Sequence, residues 1–146
     1  MKIDLKELRT NGKIESNFCF QYSPESLTVD VPDALITMPI MVTGKITLTD
    51  RHSAYIEGEI CYTIEGSCTR CLGPAKKEFL VSFSEHVEQN NPDGYSVVND
   101  SVDLAKIVDD EIILNTPVEF LCKEDCKGIC LGCMVNLNED TCKCKN

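Results

Sequence analysis

Six of the ten cysteines in this 146-residue chain fall between residues 121 and 144. They come in three close pairs: Cys122 with Cys126, Cys130 with Cys133, and Cys142 with Cys144. A fourth pair, Cys68 and Cys71, precedes Cys122 by fifty intervening residues. Thiolates two or three residues apart on a tight turn can reach one ion together. A second pair then completes a tetrahedron of sulfurs about 2.3 Å from a zinc. Four pairs supply eight thiols, the number that two four-sulfur sites need. A single CxxC says little, but two of them with a CxxxC and a CxC are a specific pattern. Apolar filler and disulfides of an oxidising compartment are the competing readings, and spacing in pairs favours metal over both. An iron–sulfur cluster is the other metal alternative. Cys19 and Cys61 stand alone and read as free thiols.

Loop closure ranks the ways of sharing metal. Joining Cys130–Cys133 to Cys142–Cys144 closes eight residues, whereas joining Cys68–Cys71 to Cys122–Cys126 closes fifty. The logarithmic scaling makes the second costlier by roughly 1.6 kcal/mol. The tail pairs can therefore form a local site, and the other four cysteines a staple between the tail root and an upstream hairpin. The alternatives join the Cys68 pair to a different tail pair, or fill only one site. Four thiolates leave no position for water or substrate, so such a site is structural. Lys123, Lys127, Lys143 and Lys145 lie near enough in sequence to soften the net −2 of a four-thiolate zinc.

The elements that must hold these cysteines are mostly strands. Phe18, Phe20 and Tyr22 alternate with Cys19 and Gln21, which predicts a strand. Residues 24–36 read as a loop around Pro32. From Met41, the positions Val42, Gly44, Ile46 and Leu48 alternate with polar residues, as a half-buried strand does. After the polar connection at 50–53, Ala54, Ile56, Gly58, Ile60, Tyr62 and Ile64 alternate over a longer run. The two make an antiparallel hairpin, with Gly44 and Gly58 at inward positions where close packing is expected. Cys68–Cys71 then sits on the turn before another alternating run from Phe79 to Val87, so a second hairpin carries metal ligands at its tip. Residues 1–12 have no clear period, and 88–101 form a loop. Asp103 can cap a helix near 103–115 with Leu104, Ile107, Val108 and Ile112 on one face, stopped by Pro117. Asp109 and Asp110 read as its solvated face, and Glu111 is placed to accept hydrogen bonds from a neighbouring loop. His52 and His86 read as solvated histidines. The fold class expected is α+β: an antiparallel β-sheet or partly open barrel with one main helix, residues 1–119. A cysteine-rich zinc-binding tail, 120–146, packs on the 66–76 cysteine hairpin.

The formal charge of −10 is unevenly placed, with net −8 in residues 81–119 and net +2 in 66–80. Such a chain does not grip RNA by phosphate neutralisation alone. The exception is the small basic spot of Arg70, Lys76 and Lys77, the candidate RNA or protein contact. The acidic belt suits a basic partner at least as well. The polar start is no secretory signal, and no run approaches the ~18–20 apolar residues of a membrane span. A cytoplasmic protein is expected, without membrane or small-molecule partner.

Several of these residues together resemble a known family. They are Cys68-Thr-Arg-Cys71-Leu72, the helix Asp110-Glu111-Ile112-Ile113-Leu114 followed by Pro117, and Cys126-Lys-Gly-Ile-Cys130-x-x-Cys133-x-x-Asn136-Leu137-Asn138 ending in Cys142-x-Cys144. The pattern is similar to that of the YceD, or large ribosomal RNA subunit accumulation, family. The resemblance implies a ribosome-assembly role in accumulation or processing of the large-subunit ribosomal RNA precursor. It also implies a basic ribosomal protein as partner, since members are often encoded beside a small zinc-type one. The family's tail usually reads Cys-Pro-x-Cys-Gly. Here Leu131 and Met134 replace the proline and the glycine, so Met134 falls where a knuckle wants positive φ, at a cost of about 1–2 kcal/mol.

Two functions compete at this point. One is a non-catalytic assembly factor with one or two structural zinc ions. The other is a thiol-based redox-sensing or chaperone-like zinc protein, suggested by paired thiols beside lysines. Hydrolytic chemistry lacks an open metal site and a matched acid–base pair, and no enzyme is expected.

Overall fold

A computed structural model describes residues 1–144, and Lys145 lies outside the described residues. The body is an open five-stranded sheet in the order β2-β3-β4-β5-β6. Its long members are β2 (Glu15–Tyr22), β3 (Leu35–Asp50), β4 (Ser53–Ser67) and β5 (Pro74–Gln89), all antiparallel. The short β6 (Ser96–Val97) runs parallel to the end of β5. One face is covered by α1 (Leu5–Thr10), α2 (Leu104–Asn115) and a two-stranded ribbon of β1 (Lys2–Asp4) with β7 (Ser101–Asp103). The fold is thus α+β, with one main helix and a sheet that does not close into a barrel.

The alternation of apolar residues sets which face is covered. Ala54, Ile56, Ile60, Tyr62 and Ile64 of β4 are buried, and so are Val81, Phe83 and Val87 of β5. Gly44 and Gly58 pair directly across β3 and β4. A Cβ on Gly44 would stand 2.6 Å from the Phe18 ring, and one on Gly58 2.9 Å from Phe83. The two rings therefore close over a patch where no side chain fits. α2 starts at Asp103, whose carboxylate accepts from the Ala105 N–H at 3.0 Å, as an N-cap should. Its stripe of Leu104, Ile107, Val108 and Ile112 is fully buried.

Some expectations are corrected. β3 begins at Leu35, six residues before Met41, because a register shift between Thr37 and Met41 takes up Pro39 without breaking the strand. Residues 1–12 divide into β1 and α1, with Asp4 capping through the Lys6 and Glu7 N–H groups at 2.8 and 3.2 Å. Asp109 and Asp110 are not a solvated face. They accept from the hydroxyls of Tyr22 (2.8 Å) and Tyr95 (3.1 Å), and burial followed by these carboxylates holds both phenols well above their usual range. Glu111 accepts from Asn115 of its own helix at 3.0 Å, not from a neighbouring loop. His52 approaches Asp100 at 3.7 Å, beside the Arg9–Asp100 pair at 2.6 Å, and His86 packs on Tyr55.

Candidate metal centre

Two turns of the same construction carry the CxxC pairs. In the first, the Cys68 N–H donates to the Gly73 carbonyl at 2.8 Å and the Leu72 N–H to the Cys68 carbonyl at 2.9 Å. In the second, the Cys130 N–H donates to Val135 at 2.9 Å and the Met134 N–H to Cys130 at 2.8 Å. Leu72 and Met134 occupy the same place in the two turns, and both have left-handed backbone, φ 61° and 59°. The positive φ expected of Met134 is therefore present, and it is matched in the upstream knuckle. Each turn folds backbone N–H groups around its first sulfur. Cys68 receives from Arg70 and Cys71, and Cys130 from Gly132 and Cys133.

The eight paired cysteines fall into two groups, Cys68, Cys71, Cys122, Cys126 and Cys130, Cys133, Cys142, Cys144. Within each, the sulfurs all lie within 4.8 Å of one another, and each group can hold a metal ion. Closest approaches are 3.7 Å for Cys68–Cys126, 3.6 Å for Cys71–Cys122, 3.4 Å for Cys130–Cys142 and 3.6 Å for Cys130–Cys144. A tetrahedron with 2.3 Å metal–sulfur bonds has an edge of about 3.8 Å, whereas a disulfide would need about 2.05 Å. Cys19 and Cys61 belong to neither group and are exposed.

The groups differ in surroundings. Cys68, Cys71 and Cys126 are buried at 0, 8 and 4% exposure, whereas Cys133, Cys142 and Cys144 are exposed. Burial pushes the Cys68 thiol up, but N–H donors from Cys71, Cys122 and Arg70 outweigh it and bring the group down to about 6. Burial and the neighbouring sulfurs push Cys122 up to about 12. In the second group the Cys133 and Gly132 N–H groups bring Cys130 down to about 6, and Cys130 with its neighbours pushes Cys144 up to about 12. In each group two thiols are drawn down, Cys68 with Cys126 and Cys130 with Cys133, while Cys122 and Cys144 are pushed up, as expected of packed sulfurs whose shared negative charge a cation would relieve.

The tail is anchored to the first knuckle through its backbone. The Thr69 N–H donates to Phe120 at 2.8 Å, and the Ile129 N–H to Arg70 at 3.2 Å. Gly128 makes that approach possible: it has φ +76°, and a Cβ there would meet the Arg70 carbonyl at 3.1 Å. Phe120 is fully buried just before Cys122. Sequence reasoning missed the role of Asn138. It accepts from the Lys127 N–H at 2.9 Å, and its amide donates to Cys126 Sγ at 3.4 Å and to Asn136 at 2.8 Å. The Asn136-x-Asn138 spacing was visible, but nothing in it names a sulfur as partner.

The three cations of the basic spot are brought near the first knuckle, each with an internal partner. Arg70 pairs with Glu119 at 3.2 Å, Lys76 with Glu65 at 2.7 Å, and Lys77 lies 5.9 Å over the Phe120 ring.

Residues 56–146 match the family model described as "Large ribosomal RNA subunit accumulation protein YceD". The chain belongs to the YceD family. That stretch includes all eight grouped cysteines, α2 and both knuckles, together with most of β4 and all of β5, β6 and β7. An uncharacterized protein of Mycobacterium bovis and two of Mycobacterium tuberculosis are each 29% identical to the chain over 91 residues. The alignment covers 56% of this chain and 44% of each relative, less than half the length of these curated relatives. No solved structure matches the chain significantly. Among the described residues, no helix is long and apolar enough to cross a membrane.

Proposed function

We propose that this YceD-family chain is a cytoplasmic, non-catalytic assembly factor that supports accumulation or processing of large-subunit ribosomal RNA. Two zinc ions would be its structural staples, one held by Cys68, Cys71, Cys122 and Cys126, the other by Cys130, Cys133, Cys142 and Cys144. The observation that carries the reading is the coincidence of two closed four-sulfur groups with the family's matched stretch. Bound zinc would supply a cross-link and offset two of four thiolate charges. The chain's own residues do the rest. Knuckle N–H groups hold the sulfurs, Asn138 ties Cys126 to the 127 backbone, and Phe120 and Gly128 dock residues 120–144 on the 66–76 hairpin as a platform for the precursor RNA, a basic ribosomal protein, or both. Of the three basic residues, Lys76 keeps 62% of its side chain in water and is the one proposed for contact, with Arg70 and Lys77 bracing the tail.

The test is a deletion strain complemented with the wild-type chain or with Cys68→Ser/Cys71→Ser, reading precursor and mature large-subunit RNA, with native mass spectrometry of the purified protein. Loss of mature RNA on deletion, rescue only by the wild type, and two zinc ions per chain support the reading. Normal RNA levels on deletion, or a folded metal-free wild-type chain, overturn it.

The exposure of Cys133, Cys142 and Cys144 favours a second reading, a redox-sensing zinc protein. Hydrogen peroxide would take two electrons from two thiolates and two protons from solvent, giving one disulfide and two waters and freeing the zinc. Mild peroxide that releases no zinc removes this alternative.

A further inference from the structure

Among the described residues, only one face of the sheet is covered. On the other, the register Met41↔Cys61↔Leu80 sets three apolar side chains in one row across β3, β4 and β5. Met41 is 36% and Leu80 67% exposed, and Cys61 is exposed too. Tyr55, with its ring against His86 at 4.8 Å, adds apolar surface further along β4. Single exposed apolar residues are ordinary, but a contiguous row with a charged rim marks a docking surface.

The rim here is acidic. The Thr63↔Glu78 row lies on one side of the apolar row, and the Glu59↔Ser82 and Glu57↔Ser84 rows on the other. Glu57, Glu59 and Glu78 make no ion pair among the described residues. The lysines of this face, Lys45 and Lys76, are already held by Glu15 and Glu65. Five carboxylates of this face, Glu15, Glu57, Glu59, Glu65 and Glu78, stand against those two lysines, a net −3 around the row on a chain of net charge −10. That field repels RNA, anionic lipid and a second copy of the same face, and it attracts a cationic polymer.

We propose that the outer face of β3–β5 docks a basic polypeptide segment, whose apolar side chains cover Met41, Cys61 and Leu80 and whose lysines or arginines meet Glu57, Glu59 and Glu78. An apolar centre with a charged rim fixes where such a segment sits, while the charges set its identity and its rate of encounter. The inference goes beyond the assembly-factor reading and stands without it, because it uses no metal ligand and no family property.

The test uses the whole 146-residue chain as purified and three fluorescent probes: a short peptide of alternating lysine and leucine, its glutamine-for-lysine analogue, and a uridine oligonucleotide. Anisotropy titrations are expected to show binding of the lysine peptide only. Leu80→Ser, and separately Glu59→Gln/Glu78→Gln, weaken it by about tenfold or more. Glu25→Gln/Asp30→Asn removes the same charge from the exposed loop before β3 and leaves it unchanged. The altered side chains are all exposed, and circular dichroism with zinc content verifies the fold. No binding of the lysine peptide, equal weakening by both double variants, or no effect of Leu80→Ser overturns the proposal. So does oligonucleotide binding that Leu80→Ser abolishes, or self-association through this face. None of these outcomes depends on ribosomal RNA levels, so this proposal and the assembly-factor reading fail separately.

Discussion

Gly132→Ala is the sharpest perturbation of the second sulfur group. A Cβ at this position would stand 2.5 Å from Cys144 Sγ and 3.9 Å from Cys130 Sγ. Ordinary contact needs about 3.5 Å or more, so the Cys144 sulfur or the knuckle must shift by about 1 Å. Metal–ligand distances tolerate only about 0.2 Å. The residue has no left-handed backbone, so the effect is steric and confined to the site. Zinc affinity of the second group is expected to fall about 10–100-fold, in the range for lost supporting contacts, or about 1.4–2.8 kcal/mol. The first group has no sulfur within 4 Å of the added carbon and keeps its affinity. The assay is a zinc titration against a chromophoric chelator, which resolves two steps in the wild type. Gly73→Ala is the control: its Cβ meets Cys71 Sγ at 3.4 Å, at the edge of ordinary contact, and the first group should keep its affinity. If Gly132→Ala titrates like the wild type, or weakens both steps alike, the assignment of these four sulfurs to one separate site is wrong.

Phe120→Ala empties a fully buried position at the tail root and is expected to cost about 3–5 kcal/mol, read as a lower thermal midpoint of the zinc-loaded protein. Met134→Gly relieves a left-handed non-glycine residue and should raise stability by up to about 1 kcal/mol in denaturant titration, once glycine's greater unfolded-state entropy is set against the relief. Gly128→Ala places a side chain at φ +76° and 3.1 Å from the Arg70 carbonyl, so tail amides such as that of Ile129 should lose hydrogen-exchange protection while those of β4 keep theirs. Asp100 is held below the usual carboxylate range first by its hydrogen bond from Arg9, so its contribution is present above that range and is lost as pH falls through the depressed folded value. In Asp100→Asn the acid limb of the stability–pH curve should flatten, and an unchanged limb would exclude this pair as its source.

What could be read in advance depended on how far apart the interacting residues lie. The β3–β4 and β4–β5 hairpins were legible because alternation and short turns are local, and the knuckles because CxxC is local. Loop length, which sequence also carries, favoured one division of the sulfurs and left the other pairings open. Three things were hidden. Three residues of β1 and six of α1 are too few to show a period. Pro39 masked the first turns of β3, since a bulge can hold a proline that a regular ladder cannot. The partners of Asp109 and Arg70 lie 87 and 49 residues away, and no local pattern announces them. That distance hides the Arg70–Glu119 pair and the Tyr22–Asp109 hydrogen bond, whereas Lys76–Glu65 and Tyr95–Asp110 are only 11 and 15 residues apart.

The two sulfur groups, alike in turn geometry, are unequal in what they hold together. The first draws its cysteines from the β4–β5 turn and from the tail, beside Phe120, Thr69 and Gly128, so a metal held there would close a fifty-residue loop and share the fate of the core. The second closes only eight residues, and three of its four sulfurs are exposed. By loop-closure reasoning the first group gains most from the body being folded, whereas the second needs little beyond its own turn. Chelation of the purified protein should therefore strip the tail group first and leave the sheet intact. Loss of the first metal should follow later, together with the tail's hold on the β4–β5 turn. A chain built this way would separate its tasks: the sheet offers an acidic face, a metal in the first group would fix the tail to it, and one in the second would shape only the tip.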